Sequence, residues 1–189
     1  AEESLRETVK CEQFKDFALS NVFYAACAAQ YGNSLGAAAK RMADILGIKH
    51  NVHLISDKNL FLKAETQSGQ IIEDEGDIVV WDNPDDKIVR AILEDDLGQE
   101  YFPTVGECSD DPHAVEQLVQ HADVLIFSSG TQWSSLIPTY MHKGFREMID
   151  HSPAKKYLIM NNAEDHDSYG VSANEMCGIL SRYLDMGQI

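Results

Sequence analysis

The feature that most constrains this chain is the abrupt end of a short apolar run. Val124-Leu125-Ile126-Phe127 stops at Ser128-Ser129-Gly130-Thr131, hydroxyls continue at Ser134 and Ser135, and Pro138 opens a further segment. Four apolar residues bounded by small ones read as a buried strand that empties into a loop. A second such run, Tyr157-Leu158-Ile159-Met160, ends at Asn161-Asn162. Helical patterns surround both. Asp111-Pro112 precedes Val115, Leu118 and Val119, and a helix is expected from about residue 140 to 150. Ser172-Ala173-Asn174-Glu175 has capping-box spacing ahead of Met176, Ile179, Leu180, Tyr183 and Leu184. The order helix–strand–helix–strand–helix predicts an α/β fold, an open Rossmann-like parallel sheet with flanking helices. Open α/β sheets present ligand sites at strand C-termini, so the two polar loops are expected side by side at one sheet edge.

Upstream, the periodicity divides the chain. Residues 1–15 read as a charged helix. Leu19, Val22, Phe23, Ala26 and Cys27 predict a helix with a buried stripe, ended by Gly32. Ser34 then caps a second helix, whose Leu35, Ala38, Ala39, Met42 and Leu46 share a face before Gly47 stops it. Near residue 51 the period changes. Residues 52–55 read as a strand, Leu60, Leu62, Ala64 and Thr66 alternate along another, and Ser68-Gly69 turns the chain into Gln70-Ile71-Ile72. Ile78-Val79-Val80-Trp81 and residues 88–93 add short apolar segments. Three parts of one compact unit result. They are a helical hairpin over 1–50, an acidic β-rich antiparallel insertion or subdomain over 51–105, and an α/β portion carrying the ligand loop over 106–189.

Composition narrows the partners. Across 189 residues, 31 acids against 15 bases give a net charge of −16, which argues against nucleic acid or an anionic membrane. The longest apolar run, residues 22–29, is far too short for a membrane span, and no secretory leader opens the chain. Cys11, Cys27, Cys108 and Cys177 are dispersed without a C-x-x-C pair, so reduced thiols and a cytoplasmic location are expected. A homo-oligomer is compatible with this composition.

The chemistry on offer is mostly neutral. Ser128, Ser129, Gly130, Thr131, Ser134 and Ser135, with Asn161 and Asn162, would line a hydrogen-bonding crevice. Small residues let backbone N–H groups approach an anion, and hydroxyls add donors. Such a crevice suits phosphate or sugar hydroxyls better than proton transfer. An ordinary polar turn explains the same pattern, since neither Walker nor G-x-G-x-x-G spacing is present. Glu164-Asp165-His166-Asp167 is the densest group of potential metal ligands. Glu164, Asp165 and Asp167 are the cation candidates there, against the simpler reading of a solvated acidic loop. A serine nucleophile is disfavoured because no G-x-S-x-G elbow occurs. Trp133 and Tyr140 either stack on a ligand or pack over the sheet, and His53, His121, His142 and His151 read as structural or dipole-compensating.

The loop register resembles the family that contains the phospholactate transferases of deazaflavin-cofactor synthesis (CofD-like) and the bacterial gluconeogenesis factors (YvcK-like). That family carries G-P-G-S-L-Y-T-S-I-x-P-N-L after a strand, and residues 128–140 here read S-S-G-T-Q-W-S-S-L-I-P-T-Y. Gly130, Ser135 and Pro138 match outright; Thr131, Trp133, Ser134 and Leu136 match in kind. Ala18-Leu19-Ser20-Asn21 resembles the family's S-L-G-N helix start, which adds Asn21 to the candidate ligand residues. Three departures stand out. The family's opening strand and G-G-G-x-G loop have no counterpart, as if this were the family's later two-thirds, excised or descended without that unit. Ser128 and Ser129 replace Gly and Pro. The loop after Asn161 lacks the family's Gln-Pro-Gly-Glu.

The resemblance implies a nucleotide or nucleotide-sugar diphosphate-binding protein, regulatory in carbon metabolism or envelope growth. One alternative is a transferase that moves a phospho-acid group from a nucleoside-diphosphate-linked donor to an alcohol, with magnesium. Another is a non-catalytic domain completed by another chain. No other cofactor is implied.

Overall fold

The computed structural model describes residues 18–49, 52–108, 111–187 and 189. The charged helix expected over 1–15, and Cys11, lie outside the described residues. The chain divides between His53 and Leu54 into two compact units.

The first unit holds the helical hairpin, α1 (Leu19–Gln30) and α2 (Leu35–Leu46). Its ends follow the expected local chemistry. The Ser34 hydroxyl accepts from the Ala37 N–H at 2.9 Å, a cap worth about 1 kcal/mol. Gly47 ends α2 in the left-handed region at φ 65°, where a side chain would be strained. The buried stripe is not found. Leu19 is 72% exposed and Phe23 55%, and only Ala28 and Ala38 are buried in these two helices. Apolar period marked the helices correctly; it could not say what would cover their larger side chains.

In the second unit, β1 (Phe61–Thr66) pairs antiparallel with β2 (Ile71–Ile72) and with β3 (Ile88–Glu94), in the order β2-β1-β3. Alternation explains β1: Ala64 and Thr66 are buried, while Lys63 faces outward to Glu73 and Glu94 at 2.6 and 2.8 Å. Two expectations fail in this stretch. Residues 52–55 form no strand; pairing is limited to an isolated bridge from Ser56 to Glu107. The segment around Ile78 belongs to a short helix, α3 (Glu75–Val79). The Asp74 carboxylate accepts from the Gly76 N–H at 2.7 Å, and Glu75 and Asp77 sit at the positive end of the helix, so local capping overrides the apolar run.

The α/β portion follows. Helix α4 (Ala114–His121) starts after His113, whose N–H the Asp111 carboxylate accepts at 3.2 Å, so Asp111 shapes the entry without being the cap. Strand β4 (Val124–Phe127) pairs in parallel with β5 (Lys155–Leu158), from Val124 opposite Lys155 to Phe127 opposite Leu158. Among the described residues this parallel sheet has two strands. Between them the chain is helical earlier than expected: a π-helix, Gln132–Leu136, runs into α5 (Ile137–Tyr140). The chain breaks at Gly144, φ 84°, and resumes as α6 (Phe145–His151). Helix α7 (Ala173–Leu180) opens with the expected capping box between Ser172 and Glu175.

One core joins the two sheets. Ala64, Ile72, Ile78, Ile88 and Leu93 pack with Phe127, Trp133, Ile137, Met176, Leu180 and Leu184. Full burial of the Ile, Leu, Met and Phe side chains among them is worth roughly 1.5–3 kcal/mol each. Trp133 at 0% and Tyr140 at 7% exposure are core residues, Tyr140 standing edge-on to Phe127 and stacked on Phe145. The fold is thus mixed α/β, with one parallel and one antiparallel sheet. No helix among the described residues is long and apolar enough to cross a membrane.

Candidate functional site

The C-terminal ends of β4 and β5 lie side by side, and one side chain joins their loops. The Asn161 carboxamide accepts from the Gly130 N–H at 2.9 Å and donates to the Gly130 carbonyl at 3.0 Å. Because β4 and β5 are parallel and in register, with the Ile159 N–H donating to the Phe127 carbonyl, residues three beyond the last pair can meet. Gly130 itself has an unstrained φ. A Cβ there would meet only the Leu136 side chain, at 3.5 Å or more, so the position is small without the backbone requiring glycine.

The second tie is a buried carboxylate. Asp167, 2% exposed, accepts through Oδ2 from the Trp133 N–H at 2.8 Å, the Ser134 N–H at 3.2 Å and the Ser134 hydroxyl at 3.5 Å. The first N–H groups of a helical segment lack intrahelical acceptors, and Asp167 supplies one. Burial pushes its pKa above the ordinary carboxylate value, outweighing the N–H contacts and adding to the repulsion from Asp165. Three atoms here are buried without a hydrogen-bond partner: Gln132 Oε1, Trp133 Nε1 and Asp167 Oδ1.

These ties divide the candidate ligand residues. Ser134 is spent on Asp167, and the Thr131 hydroxyl shares a 2.6 Å hydrogen bond with Ser135. Asn161 is spent on Gly130. Ser128, Ser129 and Asn162 are exposed, and their side chains make no hydrogen bond among the described residues. Asn21 lies exposed in the first turn of α1, in the other unit. A cleft of about 230 Å³ adjoins Asn161, lined by Gln132, Asn162, Glu164, Ser168 and an apolar side of Met160 and Met176. Gln132 also reaches Gly130, its Nε2 donating to the carbonyl at 3.3 Å.

Glu164, Asp165 and Asp167 do not fit a resident metal. Asp165 turns back to cap its own turn, accepting from the His166 N–H at 3.0 Å, and Asp167 is turned inward. No group of three potential ligands gathers among the described residues. Three histidines sit at helix ends against backbone carbonyls, whereas His53, read as structural within a strand, is exposed and lies in no strand. His121, His142 and His151 place Nδ1 against carbonyls of the last turn of their own segments, at 2.6–3.1 Å. Sequence reasoning missed Asp167 as a tie, because its partners are 33 and 34 residues away and only its acidity shows locally.

The chain as a whole has known relatives. Residues 7–187 match the family model described as 2-phospho-L-lactate transferase CofD. A Thermotoga maritima protein named "Putative gluconeogenesis factor" is 27% identical over 173 residues, covering 91% of this chain and 50% of that protein. An Aquifex aeolicus protein of the same name is 25% identical over 155 residues, covering 80% of this chain and 43% of the other. A crystal structure from Bacillus halodurans superposes with a TM-score of 0.73 at 20% identity, covering 96% of this chain and 54% of that one. This last likeness concerns the fold alone. The chain spans about half the length of the curated relatives it matches. On the strength of a family match across nearly its whole length, the chain belongs to the CofD family.

Proposed function

We propose that the chain binds a nucleotide or nucleotide-sugar diphosphate at the joined ends of β4 and β5, and that it serves a regulatory role in carbon metabolism in the cytoplasm. The observation that carries this reading is the Asn161–Gly130 junction. It holds two polar strand-end loops together while leaving the Ser128 and Ser129 hydroxyls without partners among the described residues. Hydroxyls and exposed N–H groups at a strand end suit phosphate oxygens. The adjoining cleft, at about 230 Å³, is smaller than sites that enclose drug-sized ligands, so it suits one ring-sized part of the molecule.

No lysine or arginine lines the cleft. The diphosphate charge is therefore met by a cation that arrives with the ligand, or by residues outside the described ones that complete the site. The relatives, about twice as long, have room for such residues elsewhere. The transferase reading is favoured by the family description. It is the weaker reading, because no paired acid and base faces the cleft to take a proton from an acceptor alcohol.

Isothermal titration with UDP-glucose and with GDP, each with and without magnesium, tests the proposal. Saturable heat from either ligand is expected; none at millimolar concentration overturns it. Turnover of a diphosphate-linked donor to a transferred product would replace regulation with catalysis.

A further inference from the structure

The helical hairpin keeps small side chains for its own seam and turns large ones outward. Ala28 and Ala38 are the buried residues of α1 and α2, and the Cys27 thiol meets the Met42 thioether between them at 3.8 Å. In an antiparallel hairpin this contact sets Phe23, one turn before Cys27, level with Leu46, one turn after Met42. Leu19, Val22, Phe23, Ile45 and Leu46, 48–72% exposed, therefore gather at the end away from the Gly32 turn. An outward apolar group of this size on a two-helix unit marks an interaction surface. Charge selects its occupant. The chain carries −16, yet residues 18–39 hold no charged side chain, and those of α2 are Lys40, Arg41 and Asp44. Arg41, Asp44 and Ile45 share a helical face at i, i+3 and i+4, and all three are exposed. Neither Arg41 nor Asp44 makes an ion pair among the described residues. A surface of one sign, whether basic or acidic, would oppose one of these two ions with its like.

We infer that the hairpin is a homodimerisation surface, with α2 packed antiparallel on α2 of a second copy about a two-fold axis between Arg41 and Asp44. A cation followed by an anion along one helix face complements itself when the second helix runs the other way. Arg41 then meets the partner's Asp44, and Asp44 meets the partner's Arg41, so one patch serves both copies. The same register lays the aliphatic stem of Lys40 along the partner's Ile45. The apolar group at the open end of each hairpin lies toward the partner's Tyr31 and Leu35, which are 46% and 48% exposed. Two copies of an acidic chain thus approach through the one stretch where their charges are sparse and of both signs. The inference does not depend on the ligand proposed for the strand-end loops.

Sedimentation equilibrium of the whole chain across a concentration series tests this, and a monomer–dimer equilibrium is expected. Arg41→Asp and Asp44→Arg each set like charges in both contacts, and each alone is expected to raise the dimer Kd at least tenfold. Mixing the two variants is expected to restore pairing to within threefold of the wild type, because every Asp of one then faces an Arg of the other. Leu97→Glu alters a side chain 79% exposed in the second unit and is expected to leave the equilibrium unchanged. A wild type that stays monomeric overturns the inference. If Phe23→Ser then lowers stability to urea, the face is covered within its own chain; if the chain instead sediments with phosphatidylglycerol vesicles, lipid is the occupant. Growth beyond a dimer, single variants that associate like the wild type, a mixture that fails to pair, or an equal effect of Leu97→Glu overturns it as well.

Discussion

Two carboxylates each gather a loop in this molecule, and their surroundings set them apart. Glu107 accepts from the Thr104 N–H at 3.0 Å and the Tyr101 hydroxyl at 2.8 Å, and it pairs with Lys58 at 3.1 Å. Asp167 accepts from two N–H groups and a hydroxyl as well, but it has no cation and is almost fully buried. The Thr104 N–H, the phenol and the ammonium hold Glu107 down at about 2, whereas burial lifts Asp167 above its ordinary value. Similar numbers of donors therefore give opposite directions. Glu107 is an ion the fold welcomes, and Asp167 is an acceptor the fold retains at a desolvation cost.

The contrast makes its largest prediction at Asp167. Asp167→Ala leaves two buried N–H groups without an acceptor, which costs on the order of 3 kcal/mol; urea unfolding measures it. Asp167→Asn keeps an acceptor oxygen and is expected to recover more than half of that loss. If alanine and asparagine cost the same, the carboxylate is not what orders the turn. The pH dependence sharpens the comparison. Asp167 contributes most below its unfolded pKa near 3.8 and loses that advantage as pH rises through its raised folded value. Glu107 runs the other way, its contribution present above 4.5 and lost as pH falls toward 2. Thermal unfolding across pH 2–6 is expected to show a flatter acid limb in Glu107→Gln and a steeper net rise with pH in Asp167→Asn.

Smaller effects follow. Asn161→Ala removes both hydrogen bonds to Gly130 and is expected to cost about 2 kcal/mol by the same unfolding assay. Glu107→Gln costs about 1 kcal/mol at neutral pH, because its loop keeps one acceptor. Ser128→Ala with Ser129→Ala changes stability by less than about 0.5 kcal/mol, since neither hydroxyl has a partner among the described residues. A larger loss there would show that these serines support the fold, leaving no free hydroxyls for a ligand.

Whatever is written in short stretches of sequence was legible. The strand at Val124–Phe127, the caps at Ser34 and Ser172 and the αL stop at Gly47 depend on residues within a few positions of each other. Parallel order followed from the helix–strand alternation, and with it the meeting of the two loops. The helix at Glu75–Val79 was hidden because Asp74 outweighed an apolar run that resembled a strand. The division of labour among the serines was hidden for another reason. Ser128 and Ser134 are chemically alike in sequence, and only a carboxylate 33 residues beyond Ser134 separates a spent hydroxyl from an available one. The hairpin stripe was legible as a helix and misleading as a core.

The Asn161 carboxamide gives and takes one hydrogen bond with a single residue's backbone, so it acts as a surrogate peptide that adds one more rung beyond the last strand pair. A rung made from a side chain ages differently from one made of backbone. Hydrolysis of that amide to a carboxylate would keep the acceptor facing the Gly130 N–H and set a second oxygen against the Gly130 carbonyl. Slow deamidation at this one position would thus loosen the seam between the two loops in old protein while leaving the rest of the sheet untouched.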